Sequence, residues 1–176
     1  MKGQTLFLGL GWLAQALFWI SSLVRAGRDA AEPWEYLREI VIRAGMLGLI
    51  ILALVIPRGR LMGYGRGAAF AGIVIFLLGQ VLAIWARLQL GDNWGVGVSP
   101  RAGGPNSGKN GRSKVGMYGV VRHPIYLGTI LAVTAQALLL QNAPSLVLLA
   151  AAVFVVLWKS REEDRRLDLP GHESRG

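Results

Sequence analysis

The sequence predicts an all-α fold, an integral membrane bundle of about five transmembrane helices whose last two form a tight helical hairpin. Three observations predict it. Hydrophobic residues make up 53% of the 176 residues and the mean hydropathy is +0.44, too apolar for an ordinary soluble domain of this length. The apolar residues fall into five runs divided by short polar stretches. The last two runs are parted only by Asn142-Ala143-Pro144, too little chain for anything but an antiparallel turn.

The first run covers 6–24 and is longer than the apolar part of a signal peptide; no small-x-small cleavage site follows it at once, so a retained helix is expected. The second covers 39–56 and ends at Pro57, with Arg43 near its start, where a long side chain can reach the headgroups. The third covers 67–90 and contains Gln80 and Arg87; Gly67, Ala68, Ala71 and Gly72 offer a surface for close helix contact. The fourth and fifth cover 124–141 and 145–158, slightly short of the roughly 20 residues a bilayer core requires. The whole chain, 1–176, reads as one transmembrane domain. Residues 1–84 hold the N-terminal helices, and 85–173 form a core with a polar loop at 91–123.

The formal net charge is +9 with only 16% charged residues. Five spans place Lys2, Arg58, Arg60 and Arg66 on one side and most other basic residues, from Arg25 to Arg175, on the opposite side. That imbalance predicts that the 91–123 loop and the C-terminus face the cytoplasm. Basic residues that flank apolar runs suit anionic lipid headgroups rather than nucleic acid. The absence of cysteine excludes disulfides, thiolate metal sites and a cysteine nucleophile, and no other metal-ligand spacing is visible. The centre of the loop, 103–111, has linker composition and is expected to be mobile without a ligand. Gly103, Gly108 and Lys109 match the start of a phosphate-binding loop. Asn110 then stands where Ser or Thr must bind magnesium, and no strand precedes the segment.

The segment with the strongest chemical signal is Gly116-Met117-Tyr118, followed by Arg122-His123-Pro124-Ile125-Tyr126-Leu127-Gly128. Pro124 suits the first turn of the fourth helix, and the residue before a proline stays extended, so His123 is expected just outside that helix. The free N–H groups of the first turn can receive an anion. His123 and Tyr126 are three apart and can face one pocket. The ring of Tyr118 can stack on an adenine or lie against a sulfonium. A second candidate is Arg161-Glu162-Glu163-Asp164-Arg165-Arg166, just after the fifth helix. Its basic residues are explained by a juxtamembrane position, whereas three acids beside an anionic surface are not.

Together these residues resemble the isoprenylcysteine carboxyl methyltransferase and phospholipid methyltransferase superfamily. Its pattern is G-x-Y, then R-H-P-x-Y-x-G, then a helical hairpin, then a paired acid, here Glu162-Glu163. Residues 86–94 also resemble the family's segment before the cofactor loop, and the similarity covers about residues 85–173. The resemblance implies an S-adenosyl-L-methionine pocket built from Tyr118, His123, Pro124, Ile125, Tyr126, Glu162 and Glu163, with Arg161 positioning the substrate. It implies no metal. It implies a methyl acceptor that is lipophilic and drawn from the bilayer, most like a prenylated cysteine carboxylate, with a phospholipid amine as the alternative. Two segments depart from the pattern. Arg112-Ser113-Lys114-Val115-Gly116 stands where the family reads L-V-T-x-G, and Leu169-Pro170-Gly171-His172-Glu173 stands where it continues into an aromatic tail. A sterol-type membrane reductase using NADPH shares an R-H-x-x-Y segment and is the rival enzyme reading. A non-catalytic membrane scaffold is the rival from another class.

Overall fold

The structure is a computed structural model that describes residues 2–27, 33–56, 66–90 and 116–168. It contains five helices and, among the described residues, no strand: α1 Lys2–Gly27, α2 Pro33–Val55, α3 Arg66–Leu90, α4 Pro124–Leu140 and α5 Ala143–Asp168, with a 3-10 turn at Gly116–Gly119 before α4. The loop expected to be mobile at 103–111 lies outside the described residues.

Segments Gly3–Ser22, Gly67–Leu90 and Ala143–Glu162 are long and apolar enough to cross a membrane. Helix α4 is apolar but only 17 residues long, about 25 Å at 1.5 Å per residue. Helix α2 carries Arg38, Glu39 and Arg43 in its first half, and Glu39 is buried in the bundle rather than presented at its surface. The outside of the bundle is apolar. Leu6, Leu10, Leu13, Leu17, Ile20 and Val24 form a stripe along α1 in which every member is at least half exposed. Such a stripe, repeated on α3 and α5, is what lipid tails rather than water would cover.

Helix α5 runs ten residues past its expected end at 158. The extension is a polar run of good helix formers without Gly or Pro, so nothing stops the helix once it leaves the apolar layer.

The tightest packing is between α3 and α4, and glycine makes it possible. A Cβ on Gly79 would sit 2.6 Å from the backbone of Gly128 and Ala132, and a Cβ on Gly128 would sit 2.6 Å from the backbone of Ala83. The two small-x-x-x-small pairs, Gly79 with Ala83 and Gly128 with Ala132, therefore interlock backbone to backbone. The sequence had pointed instead to the start of α3. There Gly72 packs on Leu139, while a Cβ on Gly67 would meet open space. The ring of Phe76 lies against α1, edge-on to Phe7 and Trp12 at 5.8 and 5.7 Å. Trp12 Nε1 donates to Gln136 Oε1, which ties α1 to α4.

The α4–α5 turn is built by two residues. Gln141 adopts the left-handed conformation at φ 50°, and its N–H bonds the Ala137 carbonyl to close α4. Asn142 then caps two helices at once. Its Oδ1 accepts from the Ser145 N–H at 3.0 Å, starting α5. Its Nδ2 donates to the Ala53 and Ile56 carbonyls at 2.8 and 3.1 Å, closing the C-terminus of α2. Asn142→Ala leaves these groups without partners. At about 0.5–1.5 kcal/mol for each of three bonds, the expected loss is about 2–4 kcal/mol, read as a lowered thermal midpoint in detergent.

Candidate functional site

A cavity of about 460 Å³ lies between α1 and α2 on one side and α4 and α5 on the other. Its size falls within the range of small-molecule sites. Most of the wall is apolar. Trp12 and Trp19 come from α1, Met46 and Ile50 from α2, and Val155 and Val156 from α5.

One polar end is made by the segment singled out in the sequence. The 3-10 turn that carries Tyr118 is fixed by Gln89 at the end of α3, whose Oε1 accepts from the Met117 N–H at 3.0 Å. Gly116 has φ +58°, which favours glycine, and a Cβ there would also displace the end of the Gln89 side chain that holds the turn. His123 stands just outside α4 at its N-cap, as expected, but with φ −134° and ψ 68° it departs from the extended backbone expected before Pro124. The N-cap residue His123 makes no side-chain cap bond to the first turn of α4, and the N–H groups of such a turn can receive an acceptor group. The rings of His123 and Tyr126 stack at 5.5 Å and 26°. Tyr118, His123, Pro124, Ile125 and Tyr126 all line the cavity.

The other polar end was not foreseen. Glu39 of α2, only 1% exposed, is paired with Lys159 of α5 and, at 3.1 Å, with Arg43 one turn further along α2. All three line the same cavity. Arg43 lies over the Trp19 ring at 5.9 Å. Arg38 packs between Trp34 and Trp158 at 4.9 and 5.3 Å. The sequence places Arg43 at headgroup depth; here it lines the cavity. The signal that could have found the cluster was Glu39, an acid at the head of an apolar run, which is costly in a membrane unless it has a partner.

Arg161 and Glu162 do not line this cavity. They border a separate groove on α5 with Phe154, Leu157 and Trp158. Because α5 continues as a regular helix, Arg161 stands about 200° around from Lys159, at 100° per residue, and faces away from the cavity. The side chain of Glu163 lies outside the described residues.

Residues 68–167 match the family of phospholipid methyltransferases. The chain belongs to this family. The matched span runs from α3 through α5 and contains the whole His123–Tyr126 segment, whereas α1 and α2 lie outside it. Family membership and the three long apolar helices make the chain an integral membrane methyltransferase. No curated protein and no solved structure matches it. The phospholipid methyltransferase signature therefore accounts for one polar end of the cavity, together with Lys159. Glu39 and Arg43 are contributed by a helix on which the family match is silent.

Proposed function

We propose that this protein methylates a lipophilic acceptor held in the bilayer, with S-adenosyl-L-methionine as donor and the site facing the cytoplasm. The observation that carries the reading is one cavity that joins an apolar wall to the Tyr118, His123 and Tyr126 rings and to a buried charged cluster. The donor set suits the cofactor. Stacked aromatic rings attract an adenine or a sulfonium, and an uncapped helix start accepts a carboxylate. Tyr118, His123, Tyr126 and the first turn of α4 are the residues that would hold it. Bound there, it supplies a methyl carbon already activated by sulfonium, so no metal is needed for the transfer.

The chain's own residues position and dry the reaction. Holding donor and nucleophile in line can be worth about 7–11 kcal/mol, and the apolar wall of α1, α2 and α5 excludes water from the reacting atoms. The family match favours a phospholipid amine as acceptor. An amine attacks only when uncharged, and Arg43 and Lys159 nearby disfavour its protonated form. His123 is placed to take the proton released once the new N–C bond has formed. The cationic residues support a second acceptor, the carboxylate of a prenylated cysteine, which needs no base.

Methyl transfer from labelled S-adenosylmethionine into extracted phospholipid or a prenylated thioether acid tests the reading. His123→Ala is expected to lower turnover about 10²- to 10⁴-fold. Its side chain makes no cap bond to α4 but stacks on the Tyr126 ring, so the thermal midpoint should fall only by what such a ring pair is worth, about 0.5–1.5 kcal/mol. A thermal shift produced by NADPH, with none from S-adenosylmethionine, would replace the methyltransferase reading with the reductase one.

A further inference from the structure

The groove on α5, about 250 Å³ in volume, has no part in the methyl transfer proposed above. Phe154, Leu157, Trp158, Arg161, Glu162 and Arg165 line it. Its chemistry changes along the helix. Phe154, Leu157 and Trp158 lie in the apolar segment Ala143–Glu162, long enough to cross a membrane, and all three are exposed. Arg161 stands at the end of that segment and Arg165 just past it, both exposed. At 100° per residue, Phe154, Trp158, Arg161 and Arg165 fall within an arc of about 60°, and Glu162 lies about 40° outside it. One face of α5 therefore passes from exposed aromatic ring to exposed cation over about 16 Å. Helix α2 adds a third cation beside it. The Arg38 guanidinium is 5.3 Å from the Trp158 ring, and its Nε and Nη2 donate to no described acceptor. Among the described residues, no ion pair includes Arg38, Arg161 or Arg165.

We propose that this groove holds an anionic phospholipid of the surrounding bilayer as a bound, unreacted ligand. Its phosphodiester lies against Arg161 and Arg165, and an acyl chain runs along Phe154 and Leu157. A soluble anion would match the arginines and leave the exposed apolar stretch uncovered. A neutral lipid would cover that stretch and leave the arginines unmatched. An anionic amphiphile fits both halves, and an exposed indole between them suits headgroup depth. The lipid is not the methyl acceptor, because Tyr118, His123 and Tyr126 line the other cavity. The proposal therefore stands apart from the methyltransferase reading, and it gives Arg161 a lipid to hold in place of a substrate. Trp158 also receives Arg38 from α2, so a lipid seated on Trp158 braces α5 against α2.

The test is lipid binding to the full chain in neutral maltoside micelles, followed by native mass spectrometry and by the thermal midpoint. The probes are dioleoylphosphatidylglycerol, dioleoylphosphatidylcholine and glycerol 3-phosphate, an anion without a tail. Phosphatidylglycerol is expected to bind about tenfold or more tighter than phosphatidylcholine and to raise the midpoint further. The double change Arg161→Gln with Arg165→Gln should weaken it about thirtyfold, at about fivefold for each basic residue near a membrane surface. Lysine at both positions should restore most of that loss. Both side chains are exposed, so the lipid-free midpoint should stay where it was. Arg165→Gln alone, beyond the apolar segment, should cost about fivefold and serves if the double variant folds poorly. Arg66→Gln, at the start of α3, should change nothing. Equal binding of the two phospholipids overturns the proposal. So does an unchanged affinity in the arginine variants, the same loss from Arg66→Gln, or glycerol 3-phosphate binding as tightly as phosphatidylglycerol.

Discussion

Gly128→Ala is expected to destabilise the bundle by about 3 kcal/mol or more, although the same change at Gly48 should be neutral or mildly stabilising. Both glycines lie inside helices, where alanine is intrinsically better by about 1 kcal/mol. They differ in what the added carbon meets. At Gly48 there is nothing within 4 Å. At Gly128 the carbon lands 2.6 Å from the Ala83 nitrogen and 2.7 Å from the Gly79 oxygen. Those are backbone atoms and cannot rotate aside, so α3 and α4 must separate along their whole contact. Overpacking typically costs about 1–3 kcal/mol when side chains can yield, and here none can. Thermal unfolding and monodispersity in detergent, compared for the two variants, give the result. A Gly128→Ala protein as stable as Gly48→Ala would refute the close crossing. The last glycine of R-H-P-x-Y-x-G is therefore a packing residue, whatever the roles of the residues before it.

Glu39→Ala should cost about 3 kcal/mol, because it removes the buried carboxylate that the mostly buried Lys159 and the partly exposed Arg43 share. The remedy distinguishes pairing from packing. Adding Lys159→Met and Arg43→Met to the Glu39→Leu change removes all three charges and should recover most of the stability. Buried ion clusters contribute little beyond a well-packed apolar substitute. An anionic amphiphile should also raise the midpoint of the Glu39→Ala protein more than that of the unaltered chain. A triple variant no more stable than Glu39→Ala would mean that the cluster's shape, not its charge, holds α2 on α5.

Much of this fold was legible because membranes enforce simple grammar. Apolar runs of helical length, broken at Pro57 and at Asn142-Ala143-Pro144, located all five helices and the hairpin to within a few residues at most ends. Pro124 fixed the start of α4 and placed His123 just outside it, so His123 and Tyr126 could be assigned to one place from local rules, and Tyr118 through the family resemblance. What local rules could not supply was pairing across 120 residues, as between Lys159 and Glu39. Only the docking of α2 on α5 makes them one group. The uninterrupted course of α5 past 158 was equally hidden; it turns Arg161 away from the cavity and places Glu162 about one turn beyond Lys159, where neither lines it.

Helix α2 is fastened to α5 at two points. Near one end the Asn142 amide grips the Ala53 and Ile56 carbonyls, and near the other Lys159 meets Glu39. Seventeen residues of α5 separate the two fastenings, about 25 Å of helix. The first is uncharged and indifferent to salt. The second is ionic and adjoins the cavity. Added salt therefore acts on the second fastening and leaves the first unchanged.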